Sequence, residues 1–483
     1  MRDALEEILR LVARAPGVSF ADARAGRDER ETVTVRDGEV ERALRQTSSG
    51  VGVRVLCDGA WGFCAGAAAD AAQAEAIARR ALQIARASAA VNREKVRLVG
   101  EEPQRGRYET PVAEDPFALP LDRKVADLMR PADALRARAK VQAAEARMMF
   151  RRVTTTLVTS EGTAVEQSVT HGSVGMKVVV ADGREVQQRS YPMDHDGGCA
   201  QKGYELVREI DLDGQVERIH DEAVALLEAP PLPERETTLI LDPTQLALQI
   251  HESCGHPTES DRALGDEVSL AGGSFLTPDL RGTFRYGSHL VNLTADATTP
   301  FGLGSFGWDD EGVPARRTPI IEAGRFVGYL TSRETAARLG LPASSGAMRA
   351  ESWARVPIVR MVNVNLEPGD GGSYEDLIAD TDDGVLMGWN KSWSIDHLRL
   401  NFQFGCEAAW EIKHGRRGRL FRNPVYTGQT PEFWGGCDRV AGVADWRLYG
   451  FLRCGKGDPV QAMHVGHGCP PARFRKVRVG SSR

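Results

Sequence analysis

A run of prolines near the middle of the chain constrains the fold more than any other feature. Residues 229–233 read Ala-Pro-Pro-Leu-Pro. Stacked prolines continue neither a helix nor a central strand, because proline lacks the backbone N–H that both structures use. The chain has 483 residues, which is too long for one ordinary hydrophobic core. We therefore expect separate domains on the two sides of this run.

The part of the chain before these prolines divides a second time. Proline and glycine are frequent between positions 101 and 120, as is typical of a linker. Helical and strand-like patterns occur on both sides of this linker,. We predict a small N-terminal α+β domain over residues 1–105 and a middle α+β domain over residues 121–228.

Local patterns near the N-terminus predict a helix and a hairpin. The first apolar residues fall at helical spacing, and they are Leu5, Ile8, Leu9 and Val12. Strand patterns follow over residues 31–36 and 51–56. The Asp-Gly pair at 37–38 predicts a hairpin turn after the first strand, because glycine tolerates positive φ.

Alternation of apolar and polar residues dominates the chain after residue 233. Residues 362–366 and 398–404 follow this period of two, which suits sheets with one buried face. We predict a large, mostly antiparallel β domain over residues 234–483. The fold class expected for the whole chain is therefore α+β, with small N-terminal α+β domains before this C-terminal domain.

Charge and hydropathy indicate which partners the chain lacks. The formal net charge is −6, and no long basic block of the kind that grips phosphates is present. The N-terminal charges are scattered, unlike those of a signal peptide, and no apolar run reaches the length of a membrane span. We expect a cytoplasmic protein with no nucleic-acid or membrane partner. Its eight cysteines lack a CxxC pair, which favours free thiols or metal ligands.

The segment at residues 251–256 has the composition of a metal site. It reads His-Glu-Ser-Cys-Gly-His, and it follows a predicted helix that Asp242 caps and Pro243 opens,. The familiar zinc-peptidase pattern places its histidines four residues apart on one helical face. Here they are five apart, which on a regular helix is about 500° and leaves the two rings about 140° apart.

A break after the helix would bring the two histidines together. We predict that the helix ends at Gly255 and that the chain reverses there, so that His256 returns toward His251. Catalytic zinc takes about three protein ligands and keeps one position for water. Glu252, next to a ligand, is expected to be the general base that activates a zinc-bound water.

Several residues of suitable chemistry have simpler interpretations. Cys254 lies on the same helical face as His251 but is interpreted as a small buried cysteine. His464 and His467 are candidate ligands, although a glycine-rich loop that lines the cleft is the simpler interpretation. Residues 194–199 have metal-like composition and are interpreted as a surface loop.

Acidic residues near the metal segment and in the middle of the last domain leave alternatives open. Glu259 and Asp261 either support the metal site from behind its ligands or cap a following helix. Residues 309–311, Asp-Asp-Glu, either line a substrate channel or form an acidic turn.

Four motifs in this order resemble those of the TldD/PmbA family, and the resemblance covers nearly the whole chain. The first is the metal segment with its flanks, at 250–259. The others are Asp-Asp-Glu-Gly at 309–312 with 324–330, residues 365–370 with 376–381, and Cys-Gly-Lys-Gly at 454–457 with 465–468.

The resemblance implies a ligand set, an activity and partners. TldD-type members hold their metal with two histidines and a late cysteine, which implies His251, His256 and Cys454 as ligands of one Zn²⁺ per chain, with Glu252 as the base. It also implies a peptidase that hydrolyses small or unfolded peptides, as a homodimer or as a heterodimer with a PmbA-type sister protein. The alternative is a catalytically weak, peptide-binding partner subunit with a structural metal. Structural zinc normally has four ligands, so a set of three favours catalysis.

Overall fold

The computed structural model describes residues 2–68 and 70–482. In the part before the prolines, the strands are β1 (Val18–Arg36), β2 (Glu39–Cys57), β3 (Ala60–Gly66), β4 (Arg105–Glu109), β5 (Val141–Thr159), β6 (Ala164–Ala181), β7 (Val186–Tyr191) and β8 (Gly198–Ala200). The helices are α1 (Arg2–Ala13), α2 (Ala71–Ala89), α3 (Leu121–Arg136), α4 (Glu205–Ile210) and α5 (Val216–Glu228).

These strands form one eight-stranded sheet. Its order is β3-β2-β1-β5-β6-β4, and β7 and β8 also pair with β6. Residues 22–36 of β1 pair in register with residues 145–159 of β5, so the sheet continues across the two N-terminal sections. The divisions at residues 105 and 121 stay predictions.

The helix and the hairpin turn that were predicted near the N-terminus are both present. The four apolar residues of α1 that fall at helical spacing are all buried. The hairpin turn is present, with φ of 53° at Asp37 and 84° at Gly38, as a two-residue loop between twisted strands requires. The second strand is much longer than the predicted 51–56, because β2 begins at Glu39 with residues that are exposed on both faces.

The part after the prolines contains more and shorter elements. Its strands are β9 (Arg235–Leu241), β10 (Leu293–Asp296), β11 (Arg317–Glu322), β12 (Arg325–Phe326), β13 (Met348–Arg349), β14 (Ile358–Val359), β15 (Val364–Leu366), β16 (Asp383–Ile395), β17 (Asn401–Lys413), β18 (Arg416–Arg422), β19 (Pro424–Gln429), β20 (Cys437–Val440), β21 (Arg447–Lys456), β22 (Gln461–Cys469) and β23 (Ala472–Ser481). Its helices are α6 (Pro243–Ile250), α7 (Ser260–Ala263), α8 (Arg333–Arg338), α9 (Tyr374–Ala379) and α10 (Thr430–Gly435).

The main sheet of this part closes on itself. Its order is β16-β9-β23-β19-β17, and β17 also pairs with β16, so that these five strands form a ring; β18 and β20 attach to it. A separate hairpin, β21–β22, lies against α6. This contact brings the end of α6 close to the late residues of the chain, which positions the site described below.

The fold class predicted from the sequence is confirmed as α+β. Strand pairs are antiparallel except β4–β6 and β9–β16, and α6 begins at Pro243 with Asp242 as its N-cap, as expected. Of the helices in residues 2–68 and 70–482, none combines the length and the apolar character needed to cross a membrane.

Candidate metal centre

A π-helical turn brings His251 and His256 together. Residues His251–Gly255 continue α6, and the turn is closed by the backbone N–H of His256, which donates to the carbonyl of His251. Such a turn places residues five apart above one another, and the two rings pack edge to face with centroids 4.7 Å apart. The prediction that the chain reverses at Gly255 is therefore wrong. Gly255 keeps helical dihedrals, with φ and ψ both −63°.

Gly255 is needed for close packing and not for a reversal. A Cβ atom at this position would lie 2.0 Å from Sδ of Met361, far inside van der Waals contact. Met361 therefore packs directly on the backbone of the π turn. Met361 is itself fully buried, so this contact supports the segment that carries both histidines from within the core.

Cys454 on β21 completes a group of three buried donors. The ligand atoms of His251, His256 and Cys454 lie within 4.8 Å of one another, and Sγ of Cys454 is 3.6 Å from Nε2 of His256. Imidazole nitrogen and thiolate sulfur are donors that zinc favours. Over the described part of the chain this is the one group of three or more such side chains that could hold a metal. The donor set therefore fits the metal that the motif implies.

Electrostatics shift the pKa of each of the three side chains toward its metal-binding form. Burial lowers the pKa of His251 and the pKa of His256 to about 4, so both rings are neutral at pH 7. Burial alone would raise the pKa of Cys454, but the adjacent His256 and the guanidinium of Arg360 lower that pKa below its ordinary value. A neutral imidazole and a thiolate are the forms that coordinate metals.

His467 determines which nitrogen of His251 faces the site. Nδ1 of His467 lies 3.0 Å from the carbonyl oxygen of Val364, so this nitrogen donates. Nε2 of His467 must then accept, and it lies 2.8 Å from Nδ1 of His251. Nε2 of His251 is thereby left without a proton and available to a metal. Sequence analysis named His467 only as a ligand or a cleft residue, since nothing local showed that β22 passes behind α6.

Glu259 determines in the same way which nitrogen of His256 faces the site. Its Oε2 lies 2.9 Å from Nδ1 of His256 and 2.8 Å from Nε of Arg262. Burial would raise the pKa of Glu259, but the charge of Lys456, the hydrogen bond from His256 and the charge of Arg262 hold that pKa well below its usual range. Lys456 also donates to Asp261 at 2.6 Å. Of the two interpretations of Glu259 and Asp261, these contacts favour support of the site.

Glu252 lies beside the donors and is held by an arginine. The guanidinium of Arg399 pairs with Oε2 of Glu252, and both side chains are largely buried there. Arg399 belongs to the turn between β16 and β17, where its φ is 66°. In residues 2–68 and 70–482 no second hydrogen bond engages this carboxylate, so its Oε1 is left to accept a proton.

Three other candidates lie outside the group of donors. Sγ of Cys254 contacts Oη of Tyr286 at 2.7 Å in the core. His464 pairs with His171, with their Nδ1 atoms 2.6 Å apart. Asp309 accepts from the backbone N–H groups of its own turn and lines a cavity together with Asp310, so both interpretations of residues 309–311 stay open.

The predicted surface loop at residues 194–199 lies instead against the metal centre. The ring of His195 packs on Phe451 with centroids 5.0 Å apart, and Phe451 packs on His251 at the same distance. Asp196 is buried and accepts from the backbone of β21 at 2.8 Å. The surface interpretation is wrong because Asp196 bonds to β21, a strand far away in the sequence. Asp and Gly in such a run usually mark exposed turns.

Comparison with known protein families gives matches along most of the chain. The PmbA/TldA metallopeptidase C-terminal domain matches residues 234–481. The PmbA/TldA metallopeptidase domain 1 matches residues 21–85, and the central domain matches residues 114–227.

Individual relatives agree with these matches. A metalloprotease of Methanothermobacter thermautotrophicus is 29% identical over 465 residues, which cover 96% of each chain. The zinc metalloprotease TldD homolog of Saccharolobus solfataricus is 27% identical over 51% of this chain and 52% of its own. The crystal structure of TldE from Thermococcus kodakarensis has the same fold, with a TM-score of 0.73 and 18% identity over 99% of this chain and all of the other. The chain belongs to the PmbA/TldD family of metallopeptidases.

Proposed function

We propose that this chain is a zinc-dependent peptidase that holds one Zn²⁺ with His251, His256 and Cys454 and uses Glu252 as its base. The observation that carries the proposal is the group of three buried donors beside an arginine-held glutamate. Three protein ligands leave one position open for water, as in catalytic rather than structural zinc sites. The Saccharolobus solfataricus relative is named a zinc metalloprotease, which supports zinc.

Each residue of the site then has a distinct task in hydrolysis. A bound zinc ion supplies a Lewis acid that polarises the scissile carbonyl and acidifies water. Glu252 takes the proton of the attacking water on Oε1 and passes it to the nitrogen of the leaving amine. Arg399 holds Oε2 of the same carboxylate and compensates its buried negative charge. His467 and Glu259 keep the two imidazoles in the required tautomer.

We infer that substrates are short or unfolded peptides. β21, which carries Cys454, pairs with β22 alone among the strands of the described residues. The part of its outer edge that Asp196 does not occupy is therefore able to take an extended peptide, which would bind through main-chain hydrogen bonds beside the metal centre. A folded protein has already paired its backbone groups, so it offers no strand to this edge.

We also infer that the enzyme works as a dimer, either of two identical chains or with a PmbA-type sister protein. The first half of β2 is exposed on both faces and carries the exposed apolar side chains Val40 and Leu44. A strand without cover on either face is suited to an interface. The family resemblance supports the same assembly.

A stable globular protein and its unfolded form should be digested at very different rates. We expect cleavage of the unfolded form and of short peptides, and no cleavage of the folded form, because only an unpaired backbone can join β21. The measurement is mass spectrometry of both digests over time, with light scattering of the same enzyme sample for its mass. Equal cleavage of both forms, or full activity in a monomer, would contradict the proposal.

Substitution of His467 by Phe should weaken zinc binding about 10- to 100-fold, as is typical when a group that orients a metal ligand is lost. Phenylalanine has a similar shape but cannot accept from Nδ1 of His251. The measurement is competition with a chelating zinc dye. His464→Gln is the matched control, since His464 lies on the same strand but contacts His171, and it should bind zinc like the wild type. Unchanged affinity in His467→Phe would remove the assigned role.

A further inference from the structure

Two arginines lie directly opposite each other on neighbouring strands of the N-terminal sheet. Arg30 on β1 is in register with Arg151 on β5, so their side chains leave the same face of the sheet. Like charges in this arrangement repel each other. A site with this repulsion needs negative charge close to both guanidinium groups.

Of the two arginines, Arg151 forms a direct ion pair and Arg30 does not. Arg151 pairs with Asp28 at 2.7 Å and donates to the backbone carbonyl of Glu351. The side chain of Arg30 is half-buried, yet within residues 2–68 and 70–482 its guanidinium makes no hydrogen bond and no ion pair. Burial and the charge of Arg151 lower the pKa of Arg30, while the nearby carboxylates of Asp28 and Glu351 raise it by less. Its guanidinium therefore faces a cationic neighbour and forms an ion pair with neither nearby carboxylate.

Both side chains line a cavity between this sheet face and the β21–β22 hairpin. The cavity has a volume of about 450 Å³ and is lined by seven Arg or Lys residues and four Asp or Glu residues. Three of the four acids are already paired with cavity arginines: Glu41 and Glu145 with Arg36, and Asp196 with Arg453. Glu351 is the fourth. The cavity thus keeps an excess of positive charge.

The cavity ends beside the metal centre. Arg453 lines it and directly precedes Cys454 on β21. Asp196 also lines it, while the next residue back, His195, packs on the aromatic ring that contacts His251. A peptide bound along β21 is therefore within reach of this cavity.

We propose that the cavity is a subsite that binds a carboxylate of the peptide substrate through Arg30, and this rests on the peptidase function proposed above. A guanidinium group binds a carboxylate through two parallel N–H bonds. The same carboxylate removes the repulsion between Arg30 and Arg151. Its source is either the C-terminal carboxylate of the peptide or an acidic side chain, and the volume is within the range of ligand pockets.

The test uses four peptides of one sequence with the zinc-loaded enzyme. They combine a free or amidated C-terminus with Glu or Gln at one internal position, so the two carboxylate sources are separated. The wild type should show a kcat/KM about tenfold higher for a peptide with the recognised carboxylate, as one charge-assisted contact permits. Arg30→Gln should lose this preference, and Arg30→Lys should retain part of it.

Arg152→Gln is the matched control. Arg152 is the next residue on β5, leaves the opposite face of the sheet and pairs with Asp115, so this variant loses the same charge and should keep the preference. Arg30→Gln should not lower Tm, because it removes a repulsion. Equal kcat/KM for all four peptides in the wild type, or an unchanged preference in Arg30→Gln, would overturn the proposal.

A binding measurement separates failure of this proposal from failure of the peptidase function. Dye-labelled forms of the four peptides are titrated with zinc-loaded Glu252→Gln, and fluorescence anisotropy reports the Kd of each. If no peptide is cleaved by the wild type, the peptidase function fails, while a tenfold difference in Kd that depends on Arg30 still supports the carboxylate subsite. Cleavage without any difference in Kd or kcat/KM contradicts the subsite alone.

Discussion

Replacement of Glu252 by Gln is expected to lower kcat for peptide hydrolysis about 10²- to 10⁴-fold, the range that general-base catalysis contributes. Glutamine has the same size, and its amide oxygen still accepts from Arg399. It cannot take a proton from water. The metal content should stay that of the wild type, because the three donors around the site are untouched. The measurements are steady-state kinetics on an unstructured peptide and elemental analysis of the same sample.

The control for this substitution is a second buried glutamate with an arginine partner. Glu407 pairs with Arg189 at 2.9 Å, and both side chains are fully buried. Glu407→Gln weakens a comparable ion pair away from the metal centre, so the folded fraction of that variant should keep its turnover. Wild-type enzyme stripped by a chelator gives the lower limit of the assay. Near-normal hydrolysis by Glu252→Gln would rule out its role as the base.

Local patterns predicted the type of the elements better than their extent or pairing. The four buried residues of α1 and the Asp-Gly turn were readable because a helix face and a tight turn depend on neighbouring residues. The first half of β2 could not be predicted from the sequence, since its side chains are exposed on both faces and show no burial period. The pairing of β1 with β5 joins residues more than a hundred positions apart, and only tertiary packing decides it.

The site shows the same division between local and distant information. His251, Glu252 and His256 stand out in one short segment, and Asp242 caps the helix before them as predicted. The geometry that joins the histidines was predicted wrongly, because a π turn has no composition that distinguishes it from a helix end at glycine. Cys454 lies 198 residues after His256, so only the family resemblance indicated it. The role of His467 and the presence of Arg399 at the site were found from the structure alone.

Substitution of Cys454 by Ser should lower zinc affinity about 100-fold or more. Structural zinc sites bind with about 10–16 kcal/mol from four ligands, or about 3 kcal/mol for each, and a neutral hydroxyl replaces little of what a thiolate gives. Peptidase activity should fall with zinc occupancy and return in part when zinc is added in excess. Elemental analysis after dialysis against a weak chelator measures the loss.

A second buried cysteine distinguishes a lost ligand from a disturbed core. Cys254 is as buried as Cys454 and belongs to the π turn itself, but its sulfur contacts Tyr286 and not the two histidines. Cys254→Ser keeps a hydroxyl that can bond to Tyr286, so zinc content and activity should stay near those of the wild type. Undiminished zinc in Cys454→Ser together with loss of zinc in Cys254→Ser would move the third ligand to the π turn. Loss of zinc in Cys454→Ser alone would keep Cys454 of β21 as the third ligand. The metal centre would then depend on the β21–β22 hairpin that packs against α6.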